Sequence, residues 1–146
     1  NACSAGFIIL CLHTGNVCKG ALAERSRSAS NYRGEALGAI AVQLILRAAT
    51  TRSSQHYSKV YVHCDNRGIL THGNAPRDGL PDKQSQADIL RYMKNLVAES
   101  PLDIEFIWVA SHQDDKRSWR DLSLMEKTQR SRGSISEEGS RGCSGL

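Results

Sequence analysis

A short apolar segment that ends on a carboxylate places the strongest constraint on the fold of this chain. Residues 59–64 are rich in β-branched and aromatic side chains, which predicts a buried strand. Asp65 follows directly, and Asn66 and Gly68 suit a tight exit from a strand into a helix. Ligands of α/β proteins bind in the crevice outside the carboxyl ends of strands. The end of this strand is therefore the first place to look for a functional site.

The hydrophobic pattern of the remaining sequence predicts a mixed α/β domain. Continuous or alternating apolar runs indicate strands, and apolar residues at helical spacing indicate helices. Turn residues separate these segments, most clearly in the loop at 73–81. In chain order the predicted elements are a hairpin of strands at 6–12 and 17–23, a helix at 32–50, a strand at 59–64, a short helix at 67–72, a helix capped by Asp82 and ending at Glu99, a strand at 104–109, and the start of a helix at 119–127.

The predicted helix at 32–50 carries an acidic residue near its beginning. Ser30 and Asn31 are candidate caps, which places Glu35 in the first turn, where the helix dipole favours an anion. A glutamate at a helix start commonly does no more than suit that dipole. Two apolar stripes predict that the helix packs between other elements. These stripes are Leu37, Ile40, Ala41, Leu44, Ile45 and Ala48, and Ala39, Val42 and Leu46.

Composition narrows the functional classes. The 146 residues are enough for one domain with a modest core. The net charge of +4 permits an anionic partner such as nucleic acid, although an ordinary solvated surface is more typical of it. The five cysteines form no CxxC pair, which favours reduced thiols in an intracellular compartment over a zinc site. The sequence contains no signal peptide and no apolar stretch that would span a bilayer, so we expect no membrane association.

The end of the chain differs in composition from the rest. Residues 130–146 consist mainly of Ser, Gly and Arg with two acids and almost no apolar side chains. Such a segment buries too little apolar surface to order itself. The sequence therefore predicts a domain at 1–128 and a disordered tail at 129–146.

Four short motifs occur in order along residues 5–127. They are Tyr-Arg-Gly-Glu-Ala at 32–36, Val-His-Cys-Asp-Asn at 62–66, Lys-Gln-Ser-Gln-Ala-Asp at 83–88 and Trp-Val-Ala-Ser-His-Gln-Asp-Asp at 108–115. Together they resemble a type 1 ribonuclease H domain, in the version carried by reverse transcriptases of retroelements. The third motif resembles the opening of a helix in that subgroup. None of the four is specific by itself, and their common order carries the resemblance.

This resemblance implies a mixed five-stranded sheet with helices on both faces. It also implies hydrolysis of the RNA strand of RNA–DNA hybrids with two Mg²⁺ ions, or Mn²⁺ in their place, held by four carboxylates. Two metals clamp the attacking water and the leaving oxygen of an in-line phosphoryl displacement. Hard Mg²⁺ prefers oxygen ligands, and clustered carboxylates repel one another unless a cation offsets their charge.

Three residues acquire roles from the resemblance. Glu35 corresponds to the helix carboxylate of the metal site, and Asp65 corresponds to the carboxylate at the end of the second strand. His112 corresponds to a loop histidine that assists proton transfer or product release. Asp114 and Asp115 match no metal ligand of the family, and we expect them to be solvated loop acids.

Two departures from the family pattern affect activity. The family's first carboxylate lies on a central strand, between the hairpin and the strand that ends at Asp65, and the sequence contains no counterpart of that strand. Its absence would leave unpaired backbone groups on both neighbouring strands. The fourth carboxylate lies on the last helix, where this chain reads Arg-Ser-Arg-Gly at 130–133 and has no acid until Glu137. With two of four ligands missing, we expect a fragment that lacks normal hybrid-cleaving activity and binds Mg²⁺ properly only if the site is completed.

Other functions stay open on the sequence alone. The same fold can act as a non-catalytic nucleic-acid-binding module, because phosphate contacts carry most sequence-independent affinity. A degraded retroelement remnant is a further alternative, as is an integrase-like strand transferase or exonuclease of related fold, against which the His112 motif argues. The expected partner is an RNA–DNA hybrid or other nucleic acid, and the chain would belong to a longer reverse transcriptase polyprotein. The candidate nucleic-acid-binding residues are Arg67, Arg77, Lys83, Arg91 and Lys94, which are also typical of a solvated surface.

Overall fold

A computed structural model describes residues 1–53 and 56–110, in which four strands and three helices occur. The strands form two sheets of two strands each, so the predicted mixed α/β class is confirmed. The described residues form two compact units, one that contains Asn1–Gly34 and one formed by Glu35–Trp108. The elements are β1 (Ala2–Leu10), β2 (Val17–Arg25), α1 (Asn31–Arg52), β3 (Lys59–Cys64), α2 (Arg67–Asn74), α3 (Ala87–Glu99) and β4 (Asp103–Trp108).

Several predictions fall on residues that the structure does not describe. They concern the loop that carries His112, Asp114 and Asp115, the helix at 119–127 and the tail at 129–146. These stay predictions from the sequence.

The first unit contains the predicted hairpin. β1 and β2 pair antiparallel from Ala2 opposite Arg25 to Leu10 opposite Val17. Cys3, Ala5 and Phe7 are buried, which follows the two-residue period of a strand with one covered face. Both strands extend beyond their predicted bounds at the end remote from the turn, where backbone pairing continues to Ala2 and Arg25.

A polar cluster joins the end of the hairpin to the start of α1. The Arg33 Nε–H group donates to both carboxylate oxygens of Glu24, at 2.9 and 3.0 Å, and the Ser26 hydroxyl donates to one of them at 2.6 Å. Ser30 Oγ accepts a hydrogen bond from the backbone N–H of Arg33 at 3.1 Å, which confirms Ser30 as a cap. A Cβ atom on Gly34 would lie 2.8 Å from the Ser4 carbonyl oxygen, so this close approach of helix and strand requires glycine.

The beginning of α1 corrects one sequence prediction. The helix starts at Asn31 and has no acidic residue in its first turn, so Glu35 lies just beyond that turn. The field of the helix end falls off within the first turn. The dipole therefore does not explain the position of Glu35.

The buried side of α1 also differs from the main predicted stripe. Ala36, Ala39, Ile40 and Gln43 are buried, whereas Leu44 is 42% exposed. The covered line thus runs through small residues and an amide. One residue of each predicted stripe, Ile40 and Ala39, lies on the covered line, whereas Ala36 and Gln43 belong to neither, because close packing selects for size as well as polarity.

The second unit contains a parallel pair of strands connected by two helices. β3 has the bounds predicted from the sequence, and it pairs with β4 in register from Lys59 opposite Asp103 to Cys64 opposite Trp108. Parallel neighbours need a long crossover connection, which α2 and α3 provide. Helix α2 packs on both strands and on α3.

Contacts between α2 and β4 explain why α2 is two residues longer than predicted. A Cβ atom on Gly73 would lie 2.5 Å from the ring of Phe106, so glycine lets the helix approach that buried ring. The next side chain, Asn74, pairs with the strand backbone: its Nδ2 donates to the Phe106 carbonyl at 2.9 Å, and the Phe106 N–H donates to its Oδ1 at 2.8 Å. These two hydrogen bonds extend α2 to Asn74, within the segment that was predicted to be a loop.

Helix α3 begins at Ala87 rather than after Asp82, so the predicted cap is wrong. Gln86 precedes it with a positive φ of 60°, a left-handed conformation that a right-handed helix cannot include. The predicted buried stripe is confirmed in full. It consists of Ile89, Leu90, Met93, Leu96 and Val97.

Lys94 was predicted to lie off the buried side of this helix, and that is wrong. Its side chain is 4% exposed, and its ammonium group donates to the Ala75 carbonyl oxygen at the C-terminal end of α2. A cation at that end complements the helix dipole. The aliphatic stem of a lysine packs among apolar side chains while its charged end reaches a polar partner.

No disulfide joins the described cysteines, which are Cys3, Cys11, Cys18 and Cys64. Within the described ranges, no helix has the length and apolarity needed to cross a membrane.

We expect Asn74→Ala to lower the free energy of unfolding by about 2 kcal/mol, because it removes two hydrogen bonds and leaves both backbone groups of Phe106 without these partners. Urea denaturation measures the change. The control is Asn95→Ala, an exposed asparagine on α3, which should have little effect. Equal effects of the two substitutions would contradict a specific role for the Asn74 amide.

Burial and the positive charge of Lys94 lower the pKa of His72. A hydrogen bond with Gln84 raises this pKa and offsets part of the decrease. In the unfolded chain His72 is protonated below its ordinary pKa of 6.5, whereas in the folded protein it stays neutral down to a lower pH. Stability should therefore fall as the pH decreases through 6.5 towards the lowered value. Comparison of denaturation at about pH 8 and about pH 5.5 should show a smaller loss for His72→Gln than for the unchanged chain. Asn95→Ala, at an exposed side chain that does not titrate, should leave the loss unaltered.

Candidate functional site

The turn between β3 and α2 sets the position of the candidate site. Cys64 is the last residue of β3, and Asn66 is the N-cap of α2. Asn66 Oδ1 accepts hydrogen bonds from the backbone N–H groups of Gly68 at 3.0 Å and Ile69 at 3.3 Å. Capping of this kind satisfies helix-start donors that have no partner within the helix. The tight exit predicted from the sequence is confirmed, and it holds Asp65 at the carboxyl end of the strand.

The side chain of Glu35, on α1, lies close to this turn. One carboxylate oxygen of Glu35, one of Asp65 and the Cys64 sulfur all lie within 4.8 Å of one another. Glu35 and Asp65 are partly buried, and Cys64 is buried. The two carboxylates singled out from the sequence are therefore neighbours in the folded chain. Such a group of donors could hold a metal ion.

Cys64 is the member of this group that sequence reasoning missed. Its thiol lies 3.9 Å from Glu35 Oε2, at the limit of a weak hydrogen bond, and its sulfur accepts the backbone N–H of Asn66 at 3.4 Å. In an extended strand, consecutive side chains point to opposite faces. Alternation alone would separate the donors of Cys64 and Asp65, and it is the turn into α2 that brings them together. The available signal was that Cys64 immediately precedes Asp65 at a strand end.

The remaining proposed catalytic residue, His112, lies outside the described residues, as do Asp114 and Asp115. The sequence that leads to His112 follows β4. That strand ends at Trp108, the register partner of Cys64. β3 and β4 thus end at the same edge of their sheet.

The candidate nucleic-acid-binding residues fall into two groups. Arg67, Arg77, Lys83 and Arg91 are exposed. Lys94 is buried and bonded to the Ala75 carbonyl, so its charge is not presented to a ligand at the surface.

Arg67 also contacts an aromatic ring at the end of the neighbouring strand. Its guanidinium carbon lies 5.4 Å from the ring centroid of Trp108, which is 47% exposed. A cation at this distance from the indole is attracted by the ring electrons. The result is a cationic and aromatic surface two residues beyond Asp65 in the sequence.

Two titratable side chains on β3 have contrasting electrostatics. Lys59, at the beginning of the strand, has its pKa raised by hydrogen bonds to Asp103 and Glu105, to which its ammonium lies at 2.8 and 3.0 Å. His63, near the end, has its pKa lowered by burial. The neutral form of His63 is therefore favoured close to the candidate site.

Comparison of the chain with protein-family models, with curated proteins and with solved structures finds no match.

We expect Asn66→Ala to destabilise the protein by about 1 kcal/mol, because the substitution removes the side-chain acceptor at the start of α2. Asn66→Ser is the matched control, since serine is also a good N-cap, and it should restore most of the loss. Thermal denaturation measures both variants. Amide resonances of Cys64 and Asp65 should shift in the alanine variant more than in the serine variant. The same stability for alanine and serine would argue against the cap.

Proposed function

We propose that this chain carries part of the catalytic site of a type 1 ribonuclease H domain that hydrolyses the RNA strand of RNA–DNA hybrids. The observation that carries the proposal is the convergence of Glu35 and Asp65 at the end of β3. These are the two residues assigned to the metal site from the sequence motifs alone. The position of Glu35 on a helix and that of Asp65 at a strand end do not by themselves imply that the two carboxylates are close to each other.

The strand pairings support the same proposal. An antiparallel pair (β1 and β2) precedes α1, and a parallel pair (β3 and β4) follows it. These are the two sets of pairings that the proposed five-stranded sheet would retain without its first, central strand. The parallel strands β3 and β4 also end at one shared edge of their sheet, at Cys64 and Trp108, as the proposed fold requires.

The carboxylates suit the proposed cofactor chemically. Glu35 and Asp65 would hold Mg²⁺, or Mn²⁺ in its place, because such hard cations bind oxygen ligands. When bound, the ions would activate water and stabilise the leaving oxygen of phosphodiester hydrolysis. The protein's own part is to keep two partly buried carboxylates close together despite their mutual repulsion. His112 would move a proton or help release the product.

Two carboxylates alone bind a hard ion weakly, so we expect the 146 residues by themselves to lack normal turnover. Activity should appear when both missing carboxylates are supplied, one on a strand joined ahead of Asn1 and one on a helix that follows Thr128. The measurement is Mg²⁺-dependent cleavage of a labelled RNA–DNA hybrid by the 146-residue chain and by the extended chain. Glu35→Gln and Asp65→Asn should abolish the activity of the extended chain, and Glu99→Gln, at an exposed acid on α3, should not.

Two outcomes would contradict this expectation in different ways. Robust turnover by the 146 residues that disappears with Glu35→Gln and Asp65→Asn would overturn the proposed incompleteness. Absence of any Mn²⁺-induced broadening of the Glu35 and Asp65 amide resonances, together with an inactive extended chain, would overturn the nuclease proposal itself.

A non-catalytic nucleic-acid-binding module of the same fold is the second candidate. The exposed Arg67 and Trp108 pair favours it, because guanidinium groups bind phosphates and aromatic rings stack on bases. In the hybrid experiment, this function would give binding that weakens steeply with salt while cleavage stays absent in every chain. Absence of both binding and cleavage would leave a retroelement remnant.

A further inference from the structure

We propose that Glu35, Cys64 and Asp65 form a three-ligand site for a thiophilic divalent ion of the zinc class, bound through the Cys64 sulfur. This site shares its carboxylates with the proposed nuclease centre. It does not require that the chain act on nucleic acid. A zinc-class ion bound there would exclude a hard ion from the same two carboxylates.

The distances between the donors suit such an ion. In a tetrahedral zinc site, a Zn–S bond of about 2.3 Å and a Zn–O bond of about 2.1 Å separate sulfur from oxygen by about 3.6 Å. The Cys64 sulfur lies 3.9 Å from Glu35 Oε2, and no pair of donors in the group is further apart than 4.8 Å. Side-chain adjustments of a few tenths of an ångström to about 1 Å would complete the coordination.

The chemistry of the donor set distinguishes zinc from magnesium. Thiolate sulfur selects soft or borderline ions such as Zn²⁺, whereas Mg²⁺ takes oxygen ligands in a near-ideal octahedron and gains little from sulfur. Two carboxylates and one thiolate make three protein ligands. Three protein ligands with an open fourth position are typical of zinc sites that also bind water or a substrate.

The surroundings of Cys64 support sulfur as a ligand. The backbone N–H of Asn66 donates to the sulfur at 3.4 Å, and this donor lies at the start of α2, where the helix dipole favours negative charge. Donors of this kind orient a ligand and stabilise its charged form. Cys64 is 5% exposed, so water competes little for the sulfur. When the ion binds, the thiol proton passes to solvent and a metal–sulfur bond forms.

The test uses the full 146-residue chain with Cd²⁺ as a spectroscopic probe of the zinc class. Cadmium bound to thiolate gives an ultraviolet charge-transfer band, and Zn²⁺ should remove it by competition. We expect a band that Cys64→Ser eliminates and that Cys3→Ser, at another buried cysteine, preserves. Cys18→Ser tests adventitious binding by an exposed thiol. Glu35→Gln should weaken Cd²⁺ binding roughly tenfold or more, since removal of a ligand costs at least as much as loss of a residue that supports one.

Resonance mapping keeps the proposal testable if a variant does not fold. Cd²⁺ should perturb the backbone amides of Glu35, Cys64 and Asp65 in the unchanged chain. A band that persists in folded Cys64→Ser would overturn the proposal. Perturbations centred on another cysteine would also overturn it.

The same samples separate this proposal from the nuclease proposal. Mn²⁺ broadening at Glu35 and Asp65 without a Cys64-dependent cadmium band would support the hard-metal centre and overturn the thiophilic site. A Cys64-dependent band in a chain that never cleaves hybrid, even when extended, would support the thiophilic site and overturn the nuclease. In an active extended chain, stoichiometric Zn²⁺ should inhibit cleavage in the presence of Mg²⁺, and Cys64→Ser should relieve that inhibition.

Discussion

Because β3 and β4 run parallel, the chain between them has to return from one end of the sheet to the other, and α2 and α3 make that return. Asn74 holds this connection against β4, because its side chain forms two hydrogen bonds with the backbone of Phe106. Gly73 allows the close approach, and the buried Lys94 bonds to the carbonyl at the end of α2. These contacts fix the far end of α2. The Asn66 cap fixes its beginning, and Cys64 and Asp65 are thereby held at the sheet edge.

The side chains at this edge offer two kinds of donor atom, which favour different metal ions. The oxygens of Glu35 and Asp65 suit a hard ion of the kind used in phosphodiester hydrolysis, whereas the Cys64 sulfur suits a borderline ion. If this site binds a metal, a buried thiol beside the two carboxylates would make the choice of ion depend on availability as well as on affinity. The nuclease proposal and the zinc-class proposal therefore predict different responses to the same substitution of Cys64.

Much of the local structure was predictable from residue patterns. The bounds of β3 and the buried stripe of α3 were predicted correctly, because a short β-branched run and an i, i+3, i+4 apolar pattern each imply one geometry. Glu35 and Asp65 were identified as a pair only through the order of four motifs. The predictions for Lys94, for the cap of α3 and for the first turn of α1 were wrong. Each depends on a contact or a backbone conformation that no pattern of hydrophobicity encodes.

The sequence by itself determined the order and type of the described strands and helices and that a carboxylate directly follows β3, since these follow from side-chain shape and from the spacing of apolar residues. Only the tertiary structure decided that Glu35 and Cys64 lie next to Asp65. Proximity across distant segments depends on the packing of α1 and on the turn that ends the alternation of β3 at Cys64. The tertiary structure also decided that Lys94 is buried, because the end of α2 provides a carbonyl oxygen within its reach. Next to the carboxylate that follows this strand, the fold thus places a thiol that alternation along the strand would have directed elsewhere.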